Sequence, residues 1–289
     1  MDAAALSRIG ALTTWVAAGA GAALARSAAS GFAVCVLDTR FMVPRALTPV
    51  GVALVDKPAG PSSFAIVAAL RRRTGARTGH TGTLDPFATG LLVLLSGAAT
   101  RLAPCFVGLD KRYVTDVDLT ATTSTGDPEG EIVDRRPAPD RATVESALAR
   151  LQGEIELPIP AASAVKVGGE RAYRLARRGV ALNMPLRRSL VHTLDVISYS
   201  GDATATSSVR LALHVSSGTY IRSIAQALGG HCTTLRRTAV GPFDVADAAA
   251  VDDAALMTAA AALDRLPDLA RDRVPAGIRA AVLALEEEA

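Results

Sequence analysis

Apolar and polar residues alternate most clearly between positions 209 and 215. Apolar side chains occupy every second position, with Arg210, Ala212 and His214 between them, so this segment is predicted to be a strand with one buried face. A similar alternation begins at Tyr113 and continues to residue 119. The continuous apolar run 91–95 is short enough to predict a fully buried strand.

Helical periodicity follows Ser62 and Ser63, either of which can cap a helix that continues to about Arg73. The residues expected on its buried face are Phe64, Val67 and Leu70. Asp140 is expected to cap a second helix, whose buried stripe contains Val144, Leu148 and Leu151. A third helix is predicted over 219–228, because two consecutive glycines follow it.

Additional strands are predicted over 51–56, 190–198 and 235–243, and an additional helix over 98–107. After residue 251 the pattern predicts alanine-rich helix up to the acidic end of the chain. Strands and helices are therefore interleaved along the sequence. This order favours an α+β fold around one extended mixed sheet.

Three regions differ in pattern. Residues 1–49 are rich in alanine and lack a clear period, so this extension is expected to be dispensable or poorly ordered, with Met42 as an alternative start. Part of it resembles a secretory signal, but Asp2 stands where such signals carry positive charge. Residues 50–250 are expected to form the main domain, and 251–289 a tail too short for a separate domain.

Composition and charge limit the possible partners. The chain has 289 residues, of which 49% are hydrophobic and 20% charged, as in globular proteins rather than disordered ones. The net charge is +3, and basic residues cluster at Arg71, Arg72, Arg73 and Arg77. This cluster has two interpretations, namely contact with nucleic-acid phosphates and favourable interaction with the C-terminal end of a helix dipole.

Cysteine spacing favours a reducing compartment. The three cysteines, Cys35, Cys105 and Cys232, are far apart and form no CxxC pair, which indicates neither a disulfide framework nor a zinc site. Outside the N-terminal extension, no apolar run approaches the length of a membrane-spanning helix. We therefore expect a cytoplasmic protein that does not bind membranes.

The glycine-rich segment 79–92 concentrates the candidate chemistry. It contains His80 and a single carboxylate, Asp85, in a turn-forming sequence that leads into the apolar run. Because Pro86 follows, Asp85 is expected in extended backbone rather than inside a helix. An aspartate in a turn commonly accepts hydrogen bonds from nearby backbone N–H groups. The surrounding glycines and arginines favour a catalytic interpretation as the alternative.

Three other residues are ambiguous when taken singly. Arg222, in the first turn of the predicted helix 219–228, can hold a carboxylate with two N–H groups or be an ordinary surface arginine. Tyr113 can pack in the core or stack on a planar ligand. Lys57 can be solvated or can support the loop that carries Asp85.

The sequence has no spacing typical of a metal site, no phosphate-binding glycine loop, and no serine or cysteine nucleophile with a matched base. We therefore expect no metal and no cofactor. A carboxylate that acts without a cofactor suits chemistry at a glycosidic bond. Common glycosidases need a second carboxylate, and no pattern in the sequence links one to Asp85.

Residues 79–92, Gly-His-Thr-Gly-Thr-Leu-Asp-Pro-Phe-Ala-Thr-Gly-Leu-Leu, resemble the signature of the TruB family of bacterial tRNA pseudouridine synthases. Other segments resemble motifs of that family and occur in the family's order: 55–60, 110–113, 163–173, 216–222 and 235–237. The resemblance covers about residues 50–243. It implies that residues 50–250 form a pseudouridine synthase catalytic domain.

The implied fold is a mixed, mainly antiparallel sheet flanked by helices, with a central RNA-binding cleft. The implied reaction converts the T-loop uridine of tRNA, uridine 55, to pseudouridine after the base is flipped out. Asp85 would be the catalytic carboxylate, paired with Arg222, and Tyr113 would stack on the flipped base. Whether Asp85 attacks covalently or removes a ribose proton stays open.

The resemblance also implies residues that contact the substrate or the wider RNA, and His80 would enter the T loop where nucleotides are extruded. The others in matching segments are Lys57, Thr83, Tyr220 and Leu235. The charge pattern adds Arg71, Arg72, Arg73 and Arg77 as candidate phosphate contacts. The expected partner is the T stem-loop of tRNA, bound by a monomer.

Many family members carry a C-terminal RNA-binding PUA domain, and 251–289 is expected to be too short for a full one. Three alternative functions stay open at this point. The chain can be a catalytically silent RNA-binding or RNA-folding module, a synthase acting on ribosomal or other RNA, or a nucleoside hydrolase.

Overall fold

The structure is a computed structural model that describes residues 49–163, 165–178, 180 and 183–288. The expectations for the N-terminal extension, including the use of Met42, concern residues 1–48 and lie outside this range. Ten of the strands in the described range form one large sheet, and four others form two small hairpins.

The strands, numbered in chain order, are β1 (Gly51–Lys57), β2 (Thr78–His80), β3 (Thr89–Ser96), β4 (Lys111–Asp118), β5 (Ala121–Thr123), β6 (Ile132–Arg135), β7 (Gly153–Pro158), β8 (Lys166–Val167), β9 (Glu170–Arg171), β10 (Leu186–Gly201), β11 (Thr206–Val215), β12 (His231–Val240), β13 (Phe243–Asp244) and β14 (Leu256–Met257). The helices are α1 (Ser63–Thr74), α2 (Ala103–Val107), α3 (Arg141–Ala149), α4 (Ala172–Arg177), α5 (Ile221–Ala227), α6 (Ala259–Asp264), α7 (Asp268–Arg271) and α8 (Ala276–Glu287).

The main path of the large sheet runs β14-β1-β3-β12-β4-β11-β10-β7, with β13 on β12 and β2 on β3. Its pairs are antiparallel except for β3 and β12, which run parallel at the centre. The two strands meet where Gly90 opposes Arg237. Gly90 has a positive φ of 101°, and a side chain there would lie against the Arg237 backbone, so this close approach requires glycine. The expectation of a mainly antiparallel α+β sheet is confirmed.

The continuous apolar run in β3 is explained by burial on both faces of the sheet. Leu91, Val93 and Leu95 pack into one hydrophobic cluster together with α2 and the C-terminal helices. Leu92 and Leu94 point the other way and pack against α1. A third cluster lies beyond β12, where α3 and α5 pack on β4 and β11.

Helix α1 begins as expected, because Ser62 caps it by accepting a hydrogen bond from the backbone N–H of Ala65. The assignment of Phe64 to its buried face was wrong, since Phe64 is 76% exposed. The buried residues are Ser63, Ile66, Val67 and Leu70, the spacing that one face of a helix requires. Ser63 faces inward because its hydroxyl bonds the loop that carries Asp85.

Several predicted boundaries shift. The segment 97–107 begins as a 3₁₀-helix, Gly97–Leu102, before α2, and helix 219–228 shortens to α5. The strand predicted over 190–198 is longer, as β10. The last segment is not one continuous helix, because Pro267 and Pro275 separate α6, α7 and α8.

The C-terminal segment is integrated with the sheet. Strand β14 pairs with β1 at the sheet edge. Ala262, Leu266 and Val282 belong to the same buried cluster as β1 and β3. None of the helices in the described ranges has the length and apolar character needed to traverse a bilayer.

Candidate active site

Asp85 lies in the loop between β2 and β3, and neighbouring elements hold that loop from two sides. The Ser63 hydroxyl donates to the carbonyl of Leu84 and accepts from its backbone N–H, both at 2.8 Å. Lys57 Nζ donates to the carbonyls of Pro58, Pro61 and Pro86 at 2.8, 2.8 and 3.1 Å. The position of Asp85 is therefore set by the end of β1 and the start of α1.

Arg222 of α5 forms a two-point ion pair with Asp85. Its Nε lies 2.9 Å from Asp85 Oδ2, and its Nη2 lies 3.1 Å from Oδ1. The arginine side chain is 3% exposed, whereas that of Asp85 is 32% exposed. The pair thus fixes the plane of a carboxylate that still reaches solvent.

The remaining N–H groups of Arg222 also have acceptors. Nη1 donates to the carbonyl of Thr125 at 2.9 Å and lies 3.2 Å from Asp127 Oδ2, while Nη2 donates to the carbonyl of Ala162 at 2.9 Å. Because a guanidinium has five N–H donors in a fixed plane, this set leaves Arg222 one orientation. Asp127 Oδ1 in turn accepts from the Thr125 hydroxyl and from the backbone N–H of Glu129.

Asp127 is a site residue that the sequence analysis missed. The surrounding sequence, 124–130, is polar and rich in turn-forming residues, where an aspartate has an ordinary role. An Asp-Pro dipeptide, Asp127-Pro128, repeats the one at Asp85 and was the available signal. Asp127 and Asp85 share Arg222 as a partner, and the contact between Arg222 and Asp127 spans 95 residues of sequence.

Burial raises the pKa of Asp85 above its ordinary value of 3.8. Arg222 opposes this shift by favouring the ionised form, and the negative charge of Asp127 reinforces it. Burial likewise lowers the pKa of Lys57 to about 8, against the attraction of Asp85. The site therefore holds an acid and a base whose pKa values have moved towards neutrality, as is common at functional sites.

Arg237 of β12 binds the same loop through its side chain. Its side chain is almost fully buried, and it donates to the carbonyls of Leu91, Gly82 and Thr83 at 2.7, 3.0 and 3.3 Å. The sequence analysis used position 237 as part of a motif without giving it a role. Its neighbour Arg236 faces the other way and pairs with Asp56 at 2.8 Å.

A cavity of about 340 Å³ opens above Asp85. Its lining brings together residues from distant segments that the sequence analysis had selected: Thr83, Asp85, Tyr113, Tyr220, Arg222 and Leu235. Tyr113 and Leu235 are buried and add apolar surface to its wall. An apolar wall beside a fixed carboxylate suits a flat, polar-edged ligand such as a nucleobase.

Lys111 also lines the cavity and is buried. Its Nζ donates to the carbonyls of Val107 and Leu109 and to the Ser217 hydroxyl at 2.8, 2.5 and 2.9 Å. Burial lowers its pKa to about 8. Lys111 thus joins the start of β4 to the turn that precedes α5.

The other predicted RNA contacts lie outside the cavity lining. His80 is half-buried on β2, and burial, with a smaller contribution from Arg237, lowers its pKa. Arg71, Arg72 and Arg77 are exposed around the end of α1. Arg73 differs from them, because it donates to the carbonyls of Val251, Asp252 and Ala254 and so attaches the C-terminal segment.

The family model described as TruB family pseudouridylate synthase (N terminal domain) matches residues 71–221. The tRNA pseudouridine synthase B of Thermobifida fusca (strain YX) is 45% identical over 71% of this chain and 74% of its own length. That of Corynebacterium jeikeium (strain K411) is 42% identical over 68% of each chain.

Among solved structures, a chain in "Crystal Structure of a Cbf5-Nop10-Gar1 Complex" is 29% identical with a TM-score of 0.50. The match covers 68% of the present chain and about half, 51%, of that chain. The class of protein that the fold and the site define is the pseudouridylate synthases. Within that class, the chain belongs to the TruB family.

Proposed function

We propose that this protein isomerises a uridine of tRNA to pseudouridine and that its target is the T-loop uridine, uridine 55. Relatives at 41–45% identity are named tRNA pseudouridine synthase B, which supports tRNA as the substrate. The observation that carries the proposal is the two-point pair of Asp85 with buried Arg222 at a cavity that has Tyr113 in its wall.

The chemistry needs no external reactant. The bond from N1 of uracil to ribose C1′ breaks, a bond from C5 to C1′ forms, the proton on C5 is lost and N1 gains one. Arg222 favours the ionised form of Asp85 and holds it in one orientation, so the carboxylate can act on the ribose side of the bond as a nucleophile or as a base. Both routes leave the composition of the RNA unchanged.

The substrate uridine must leave its stack to reach Asp85, because the carboxylate lies beside the cavity and not on an open surface. Tyr113 and Leu235 then contact the faces of the base, and stacking on an aromatic side chain accommodates an extruded base. His80 on β2 and Thr83 in the loop contact the RNA at the place that the flipped uridine has left. Arg71, Arg72 and Arg77 attract the phosphates of the adjoining stem.

The decisive test replaces Asp85 with asparagine, which keeps the shape of the side chain and removes its charge. With a T stem-loop RNA, Asp85→Asn is expected to lose pseudouridine formation by at least ~10³-fold, a loss typical for removal of a catalytic group. RNA binding, measured by filter retention, is expected to persist and shows that the variant is folded. Asp253→Asn, at an exposed position, is the matched control and keeps full activity.

Full activity of Asp85→Asn would overturn the assignment of the catalytic carboxylate. A wild-type protein that binds the stem-loop without forming pseudouridine would instead indicate an RNA-binding or RNA-folding module. Release of free uracil would indicate a nucleoside hydrolase. Chromatography of the whole digested reaction detects pseudouridine and free uracil, and filter retention detects binding, so the three results are distinguished.

Mapping pseudouridines in cells with and without the protein tests the target RNA. Loss of pseudouridine 55 alone supports the proposal, and loss at ribosomal or other sites replaces tRNA with that RNA. We further propose that the protein acts in the cytoplasm as a monomer. Sedimentation at increasing protein concentration tests whether the protein is a monomer.

A further inference from the structure

A second cluster of polar side chains lies away from the cavity and contains Asp110, His192 and His214. His192 Nε2 lies 3.1 Å from Asp110 Oδ2, and His214 Nε2 lies 4.0 Å from the same oxygen. The two imidazole rings have centroids 4.5 Å apart. One potential ligand atom from each residue falls within 4.8 Å of the other two.

The sheet topology creates this cluster from three separate segments. His214 of β11 is opposite Arg112 of β4, one residue from the pair Leu213 and Tyr113. Since opposite residues of an antiparallel pair share a face, His214 lies on the face away from Tyr113 and the cavity. Asp110 immediately precedes β4 on the same side.

His192 reaches this face through an irregularity in β10. The register shifts between Val191 and Thr193, so His192 is an extra residue on its strand. Such a bulge redirects a side chain. Here it brings the imidazole of His192 beside that of His214 and above Asp110.

We propose that Asp110, His192 and His214 bind a divalent transition-metal ion, with Zn²⁺ as the representative case. Two imidazoles and one carboxylate are a ligand set used by such ions, with water completing the coordination. A tetrahedral ion with ligand distances of about 2.0–2.1 Å places its ligand atoms roughly 3.3 Å apart. The separations of 3.1 and 4.0 Å from Asp110 Oδ2 lie on either side of that spacing, so small side-chain adjustments can reach it.

A hydrogen bond between Asp110 and His192 alone leaves the position of His214 unexplained. Asp110 and His192 are within hydrogen-bonding distance, but His214 Nε2, at 4.0 Å from the same carboxylate oxygen, is too far for a hydrogen bond. The side chains are 26–43% exposed, so an ion can enter from solvent.

The bound ion would join β10 and β11 to the residue preceding Lys111. It would therefore stabilise the sheet behind the cavity without contacting the substrate. The sequence analysis expected no metal because the three ligands are separated by 82 and 22 positions, far from any recognised metal-binding spacing.

The test is an isothermal calorimetric titration of the metal-free full-length protein with Zn²⁺. Mg²⁺ is the control ion. We expect one equivalent of Zn²⁺ to bind and Mg²⁺ not to. Asp110→Asn, His192→Asn and His214→Asn are each expected to weaken Zn²⁺ affinity by at least ~10-fold, since even loss of a residue outside the coordination sphere costs that much. Asp195→Asn, at an exposed position on β10, should bind as the wild type does.

Two further readouts separate binding at this cluster from binding of Zn²⁺ elsewhere on the protein. At about 100 times the dissociation constant, Zn²⁺ is expected to raise the melting temperature of the wild type by roughly 5 °C or more and that of His214→Asn by much less. Bound Co²⁺ should show no sulfur-to-metal charge transfer, which excludes the cysteines. Absence of Zn²⁺ binding, or binding that all three variants retain, would overturn the proposal, and neither result bears on the activity of Asp85.

Discussion

Two groups of basic residues in this protein have similar chemistry and different surroundings. The group called the cavity cations contains Lys111, Arg222 and Arg237, which line the cavity, and Lys57, which binds the Asp85 loop beside it. All four are at most 5% exposed. The helix-end arginines, Arg71, Arg72 and Arg77, are exposed around the C-terminal end of α1. The first group makes hydrogen bonds to several chain segments each, and the second extends into solvent.

The contrast between the two groups shows what a buried charge requires. Moving a cation out of water is costly unless acceptors replace its hydration. Each of the cavity cations meets at least three acceptors, and most of these acceptors are backbone carbonyls. The cavity cations therefore shape the site, whereas the helix-end arginines stay hydrated, so salt can screen any attraction between them and a ligand.

Among variants of these two groups, Arg237→Ala is expected to have the largest effect on stability. Its loss leaves the carbonyls of Gly82, Thr83 and Leu91 without their donor in a buried place. We expect the free energy of unfolding to fall by about 1–3 kcal/mol and pseudouridine formation to fall with it, because the Asp85 loop loosens. Urea unfolding and single-turnover kinetics measure the two effects.

Arg236→Ala is the matched control, one position away on the same strand. Arg236 is 41% exposed and pairs with Asp56, so its removal is expected to cost about 0–1 kcal/mol. Equal losses in the two variants would show that burial does not distinguish these arginines.

A smaller effect on the free energy of unfolding is expected from the protonation of Lys57. Its pKa in the folded protein, about 8, lies below the ordinary value of 10.5. Between these values the unfolded chain binds more protons than the folded one, so stability rises with pH across this window. The free energy of unfolding of the wild type, relative to Lys57→Met, is therefore expected to rise from about pH 8 to 10.5.

Urea unfolding at several pH values checks this expectation, and the variant supplies the reference because Lys111, which shares the lowered pKa, titrates in both proteins. A difference that stays constant across the window would mean that Lys57 titrates normally when folded. The same measurement on Arg71→Ala is the control and should show no pH-dependent difference.

The smallest effect on stability is expected from the double variant Arg71→Ala with Arg72→Ala. Exposed substitutions of this kind change the free energy of unfolding by no more than about 0.5 kcal/mol. If both arginines contact phosphates, the slope of log affinity against log salt becomes shallower by about 1–2 units. Filter binding of the T stem-loop RNA at several salt concentrations measures this slope.

Arg73→Ala is the contrasting control, since Arg73 holds three backbone carbonyls of the C-terminal segment. It should lower stability and leave the salt slope nearly unchanged. An unchanged slope in the double variant would restrict the role of Arg71 and Arg72 to the dipole of α1.

Local pattern was sufficient for much of the fold. Alternation identified β4 and β11, the apolar run identified β3, and the caps at Ser62 and Asp140 identified α1 and α3. These features depend on neighbours within a few residues, so one sequence contains the information. The motif resemblance likewise selected Asp85, Tyr113 and Arg222, which the structure places around one cavity.

Only the folded chain shows which polar residues share a site. The burial of Lys111 and Arg237, the contact of Asp127 with Arg222, and the cluster of Asp110 with two histidines depend on strand order and on a bulge in β10. Folding also turned Phe64 outward and placed β14 at the sheet edge. A sequence states the charge of each side chain, but the cost of burying that charge, and hence its function, depends on partners that only the folded chain brings within hydrogen-bonding distance.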